Sequence, residues 1–298
     1  MKFAAIDIGS NALRLLITEV IENGEGVKYK RRLFIRVPLR LGEDVFTIKR
    51  ISEEKTYSLI KAIHAFRNLI DLYSVTEYKT CATSAFREAG NGSEVADKVF
   101  SHTGFFIDII DGKKEAEIIY TNHIAEALDL EHSYLYVDVG GGSTQIALFS
   151  KGKIVDSDSF PVGAVRMCVD KVSEKNWDAL KEFVKSITKD NDNLIAIGTG
   201  GNINRLVKLA DNKDKKYIKE KELKELCEKL SGYSVEERIQ KFGLNADRAD
   251  VIVPAARVYL SVLKWARIDE IFVPKLGLAN GIIHMLYEKH LRKKTAAV

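Results

Sequence analysis

Cysteine, proline and long apolar runs are all scarce in this chain, and each scarcity removes a class of protein. Cys81, Cys168 and Cys227 are the only three cysteines among 298 residues. Odd in number and far apart, they suit neither a disulfide framework nor a zinc site, so reduced thiols are expected. Only four prolines interrupt the sequence, and no low-complexity linker separates its parts. No apolar stretch approaches the roughly 20 residues of a membrane span, and Lys2-Phe3-Ala4 opens a strand rather than a leader. These features lead to the expectation of a cytoplasmic protein with no membrane contact. Forty-six Lys and Arg against 42 Asp and Glu leave a formal charge of +4, too mild to argue for DNA as a partner. The six histidines show no ligand spacing, and no Gly-Lys-Ser/Thr phosphate loop is present. Gln145 stands where a Gly-x-Ser-x-Gly motif would need its last glycine. Gly198 to Asn202 follows a strand and opens a helix, but lacks the full spacing of a dinucleotide fingerprint.

What the chain does contain is two glycine-turned strand pairs. Ala5-Ile6-Asp7-Ile8-Gly9-Ser10-Asn11 and Tyr136-Val137-Asp138-Val139-Gly140-Gly141-Gly142-Ser143-Thr144 each carry an aspartate at a strand end, just before a small-residue turn. Glycines there let backbone amides approach phosphate oxygens without a Cβ in the way, while Ser10, Asn11, Ser143 and Thr144 add side-chain donors. A third turn, Gly198-Thr199-Gly200-Gly201-Asn202, sits at another strand end. Tight hairpins that need glycine for their own geometry are the plainer explanation of any one turn. Asp7 and Asp138 suit a divalent cation such as Mg²⁺ shared with phosphate oxygens, or else bond their own turn amides.

With 46% hydrophobic residues, the chain is long enough to bury cores for two domains. Strands are expected over 3–9, 12–20 and 27–37, then a helix from the Ser52 cap to Tyr73, a strand over 78–83, a helix near 93–102, a strand over 105–110 and a helix over 113–128. The second half repeats that order, with strands over 134–139, 145–150 and 153–160, a helix over 174–189 and a strand over 194–197. Helices over 219–231, 234–241 and 246–265, a strand over 270–274 and a final helix over 278–291 complete it. This is an internal duplication, α/β throughout, with the element order of the actin-like ATPase (ribonuclease H-like) fold. The domains are expected at 1–122 plus 284–298 and at 123–283, with a cleft between them in which the two turns face one anion.

Motif by motif, the sequence resembles the Ppx/GppA family of exopolyphosphatases and guanosine pentaphosphate phosphohydrolases, in its short two-domain form. The pieces that carry the resemblance are Ala5 to Asn11, Ala82 to Ala89, Asp111 to Ala116, Asp138 to Thr144, Pro161 to Met167, Gly198 to Asn202 and Ala249 to Pro254. The resemblance implies hydrolysis of a terminal phosphoanhydride, with inorganic polyphosphate or guanosine pentaphosphate as partner, Mg²⁺ beside the second glycine turn at Asp138, and a homodimer by analogy. It places Glu115 where the family carries its catalytic glutamate, orienting or deprotonating the attacking water. Arg87 is a candidate phosphate clamp, or a solvated helix arginine. Gly9, Gly140, Gly141, Gly142, Gly200, Gly201 and Asn202 complete the expected phosphate contacts.

Two departures from the family pattern stand out. Lys114 replaces a common glutamate, and Gln145 occupies a place where active members usually have an acid. An amide can orient water but cannot take its proton, so a catalytically weak sensor of polyphosphate or an alarmone is a further reading. The basic run Lys213, Lys215, Lys216, Lys219 and Lys221 reads as a solvated face or a polyanion contact, and Arg292-Lys293-Lys294 as a frayed tail.

Overall fold

The computed structural model describes all residues except 25, 121–130, 170, 190, 192, 211–215, 275 and 297–298. By internal contact the chain divides into two compact units, Met1–Ile124 with Leu278–Val298, and Ala125–Gly277.

In the first unit the strand β1 (Lys2–Ile8), buried from Phe3 onward, pairs antiparallel with β2 (Leu13–Asn23), which pairs antiparallel with β3 (Gly26–Val37). On its other side β1 runs parallel to β4 (Glu77–Ala82), and β4 to the short β5 (Asp108–Ile109), giving the order β3-β2-β1-β4-β5. Central strands buried on both faces need near-continuous apolar sequence, and Phe3-Ala4-Ala5-Ile6 provides it. Helix α1 (Leu41–Ile48) precedes α2 (Glu53–Leu72), whose Ser52 cap accepts from the Lys55 amide at 3.3 Å. Leu59, Ile63, Phe66 and Ile70 of α2 are buried at helical spacing. α3 (Ser84–Glu88) follows β4, then α4 (Gly92–Thr103) and α5 (Gly112–Tyr120).

The second unit repeats the plan. β6 (Ser133–Val139) pairs antiparallel with β7 (Thr144–Ser150), and β7 with β8 (Lys153–Phe160), while β9 (Leu194–Thr199) runs parallel to β6. Two short strands, β10 (Tyr217–Lys219) and β11 (Glu270–Phe272), extend the sheet to the order β10-β11-β9-β6-β7-β8. The helices are α6 (Ala164–Cys168), α7 (Glu174–Thr188), α8 (Gly201–Leu209), α9 (Glu220–Ser231), α10 (Val235–Phe242), α11 (Ala246–Ala249) and α12 (Ile252–Ala266). The repeat extends to irregularities: the second strand of each sheet shifts register at matching positions, Ile17/Thr18 in β2 and Leu148/Phe149 in β7. The last helix, α13 (Leu278–Ala296), returns to the first unit and packs on β1 and α5, with Phe3 edge-on to Tyr287.

Several elements depart from expectation. The strand over 105–110 pairs only at Asp108–Ile109. The helix over 246–265 is broken between Ala249 and Ile252, because the Pro254 ring in a continuous helix would strike the carbonyl of Asp250. The 292–294 tail belongs to α13, and Lys293 pairs with Glu77 at 2.9 Å. Residues 121–128 of the expected α5, His123, Lys213 and Lys215 lie outside the described residues. Among the described residues, no helix is long and apolar enough to cross a membrane.

Candidate phosphate-binding site

The β6–β7 turn of the second unit is held from behind. Its closing bond runs from the Gly140 amide to the Ser143 carbonyl at 2.9 Å. The carbonyls of Gly140 and Gly141 accept from the amides of Ala164, Val165 and Arg166 at the start of α6. The Gly142 carbonyl accepts from Nε of the buried Arg166 at 2.9 Å. Gly163 permits this approach, since a Cβ there would lie 2.3 Å from the Gly142 carbonyl carbon and 2.5 Å from the Ser143 nitrogen. With the carbonyls drawn toward α6, the amides of Gly141, Gly142 and Ser143 have no acceptor among the described residues. Gly142 and Ser143 are buried, and buried N–H groups without partners are rare in folded proteins. Successive turn amides of this kind form a candidate anion nest.

Side chains around this turn have sharper roles than the sequence assigned. Thr144 is fully buried and its hydroxyl donates to the Val162 carbonyl at 2.5 Å, so it fastens the turn rather than offering a donor to a ligand. Gln145, 1% exposed, donates from Nε2 to Ser143 Oγ at 2.8 Å and to Ser159 Oγ at 3.2 Å. It orients Ser143, and that amide nitrogen is already occupied. Asp138 is half-buried beside the β9–α8 turn, where a Cβ on Gly200 would fall 2.7 Å from Asp138 Oδ1; Gly200 also holds φ 98°, a value side chains avoid. The Gly201 carbonyl accepts from Arg248 Nη1 at 2.6 Å. Asn202 lies in the first turn of α8, half-buried.

In the first unit the β1–β2 turn has the same closing bond, from the Gly9 amide to the Ala12 carbonyl at 3.1 Å. The Ser10 and Asn11 carbonyls accept from Gly42 and Arg40 at the start of α1. The Ser10 hydroxyl shares a 2.8 Å bond with Ser84, tying the turn to α3, while its amide has no acceptor among the described residues. Asp7 is ion-paired with Arg14, its register partner on β2. Gln145 is the repeat counterpart of Arg14, facing Asp138 as Arg14 faces Asp7. Arg87 is not a solvated helix arginine. Its Nη1 donates to the Ile110 carbonyl at 2.8 Å and to Glu115 Oε2 at 3.0 Å, and its Nε and Nη2 have no acceptor among the described residues. Glu115, 8% exposed, sits in the first turn of α5, where its amide bonds the Asp111 carbonyl. Asp111 also caps the Lys114 amide, and the Lys114 ammonium turns outward to Glu117 at 3.0 Å.

Residues 33–290 match the model of the Ppx/GppA phosphatase family. The chain belongs to this family.

Among curated relatives, it is 30% identical to the bifunctional 3-dehydroquinate synthase/phosphatase of Fusobacterium nucleatum, over 94% of this chain but 46% of that protein, so it spans about half the length of that relative. It is 26% identical to exopolyphosphatase 2 of Mycobacterium tuberculosis, over 94% of this chain and 97% of the relative. The crystal structure of the Aquifex aeolicus Ppx/GppA family member superposes with a TM-score of 0.77 at 26% identity, covering 97% of this chain and 98% of that one. A Cytophaga hutchinsonii exopolyphosphatase gives a TM-score of 0.84 at 22% identity, covering 97% and 98%. The architecture is the duplicated actin-like fold of these proteins.

For this Ppx/GppA chain, two residues at the second turn were invisible in the sequence. Tyr259 is fully buried in α12; its phenol accepts from the Val139 amide at 3.2 Å and donates to the Thr199 carbonyl at 2.6 Å, clamping β6 to β9 beside Asp138. Burial, and then the negative charge of Asp138, hold that phenol well above its ordinary range, so it stays a donor. Arg248 is the other. Both stand in helices distant in sequence from the glycine motifs, and nothing in helical periodicity separates such residues from core or surface. No group of three or more His, Cys, Asp or Glu side chains gathers as an ion cage among the described residues. Mg²⁺ is commonly held by one or two carboxylates together with substrate phosphates and water, and the single carboxylate of Asp138 beside the amide row fits that mode. Asp7 is the poorer candidate, since Arg14 already neutralises it.

Proposed function

We propose that this chain is an exopolyphosphatase, a phosphoanhydride hydrolase that releases terminal orthophosphate from inorganic polyphosphate. The observation that carries the reading is the row of acceptor-less amides at Gly141, Gly142 and Ser143, whose carbonyls are all committed to α6 or to the turn itself. Phosphoryl transfer passes through a loose transition state, so positioning and charge neutralisation do most of the work. The amides of the two glycine turns bind phosphate oxygens, and the open edge of Arg87 meets another. Glu115, fixed by Arg87, orients water toward the terminal phosphorus and takes its proton as the new P–O bond forms and the bridging P–O bond breaks. Asp138 would hold Mg²⁺, which supplies neutralisation of phosphate charge. Gln145 acts by holding Ser143, in place of contacting water.

The test is phosphate release from polyphosphate, guanosine pentaphosphate and ATP, with and without Mg²⁺. Polyphosphate is expected to be turned over fastest, and Glu115→Gln to lower kcat by about 10²-fold or more, the scale of a lost general base. Faster release from guanosine pentaphosphate would transfer the assignment to that substrate. Gln145 also favours a second reading, a binding-only sensor: binding without turnover of any substrate, with turnover gained in Gln145→Glu, would establish it. The cytoplasmic homodimer is part of the proposal, and sedimentation as a monomer would remove the dimer.

A further inference from the structure

The second unit contains a cavity of about 850 Å³ where the C-terminal ends of α7 and α12 meet the start of β9. Lys181, Lys185 and Lys189 line one wall, and Lys264, Trp265 and Arg267 another. None of its described lining residues is acidic, and none of the five cations makes an ion pair with a carboxylate among the described residues. None of the lining residues belongs to the Gly140–Thr144 or Gly198–Asn202 turns.

The plain explanation of lysines at helix ends is complementation of the C-terminal dipole. It covers Lys185 and Lys264, the last-turn cations of α7 and α12. It does not cover Lys181, a turn earlier, or Arg267, beyond the helix in a left-handed conformation at φ 56° where glycine is the usual choice. Several of the carbonyls near these helix ends already have donors. Ile187 and Thr188 accept from Asn191, Val184 from the Thr188 hydroxyl, and Leu263 from the amides of Arg267 and Ile268. Like charges at i, i+4 and i+8 with no ion-pair partner among the described residues oppose helix stability, and their convergence on one concavity points to a ligand.

We propose that this cavity is a second binding site for an inorganic phosphate chain. The α7 row advances about 6 Å between successive lysines, distributing charge along a wall. A single orthophosphate would meet only part of it, whereas a linear chain carries charge on every unit. The choice of polyphosphate as natural ligand rests on the proposed function, in which this site holds a stretch of chain remote from the cleaved end. Binding itself is independent of that reading.

The only two tryptophans in the chain, Trp177 and Trp265, stand edge-to-face with centroids 6.1 Å apart, so intrinsic fluorescence reports this site. The Glu115→Gln chain, which spares the ligand, is titrated with tripolyphosphate, orthophosphate and ATP while tryptophan emission is followed. Tripolyphosphate is expected to give a saturable change, to bind about tenfold or more tightly than orthophosphate and at least as tightly as ATP, and to weaken with salt. The triple variant Lys181→Glu, Lys185→Glu, Arg267→Glu should bind about tenfold or more weakly with an unchanged circular dichroism spectrum, and the Lys181→Arg, Lys185→Arg variant should retain binding. Absence of a saturable change, an unaffected triple variant, or tighter ATP binding would overturn the proposal. Failure of the native chain to release phosphate would remove the hydrolase reading and leave this result standing.

Discussion

Arg87 and Glu115 illustrate how a pair changes the meaning of each member. Alone, either residue is an unremarkable helix side chain; together they form a 3.0 Å contact anchored to the Ile110 carbonyl. Lysine keeps the charge but loses the planar fork. Arg87→Lys is therefore expected to lower kcat for phosphate release by about tenfold or more with little change in thermal stability, in steady-state assays paired with melting curves. The thiols offer a second check at this scale. Burial pushes the Cys81 thiol, register partner of Asp7, up to about 12, while Cys168 is exposed and Cys227 buried. A thiol-reactive chromogen at pH 8 should titrate one thiol in the native chain and three after denaturation. The sign of the pH dependence follows from the raised value. Burial of the neutral Cys81 thiol stabilises the fold fully below about pH 9 and is lost as pH rises toward 12, so Cys81→Ala should flatten the alkaline limb of a stability profile.

Among the elements, the turns are fastened by neighbours that the glycine motifs do not contain. Gly163→Ala forces a Cβ into the backbone of Gly142 and Ser143; a cost of about 1–3 kcal/mol is expected in urea unfolding, together with loss of phosphate binding. Tyr259→Phe leaves the Val139 amide and the Thr199 carbonyl without the phenol, and should cost a similar 1–3 kcal/mol. The β1–β2–β3 and β6–β7–β8 meanders were legible because alternation and glycine turns are local signals, and α2 because Ser52 caps an apolar row. Helix α1 was not, since Arg40 and Lys49 bound it in left-handed conformations (φ 51° and 61°) with no side-chain cap, where a reader expects Ser, Asn or Gly. The site was legible to the same depth. Asp138, Glu115 and the glycine turns stand in motifs, whereas the occupied hydroxyl of Thr144, the Gln145 tether to Ser143 and the Tyr259 clamp depend on contacts made only after folding.

At the scale of the whole chain, the duplication accounts for most of the architecture. Both units build the same five-strand core, close their first hairpin with the same i to i+3 bond, and draw the turn carbonyls toward a following short helix. At one register position the repeats differ in charge: Arg14 neutralises Asp7, whereas the uncharged Gln145 faces Asp138. Among the described residues, the second turn sets an open amide row beside the half-buried carboxylate of Asp138. The most direct test is amide chemical-shift mapping of the isotopically labelled Glu115→Gln chain titrated with tripolyphosphate. The Gly141, Gly142 and Ser143 resonances should move downfield, in saturable fashion and more than any other backbone amides. If those three stay in place while the ligand binds elsewhere, the second glycine turn is not a phosphate nest.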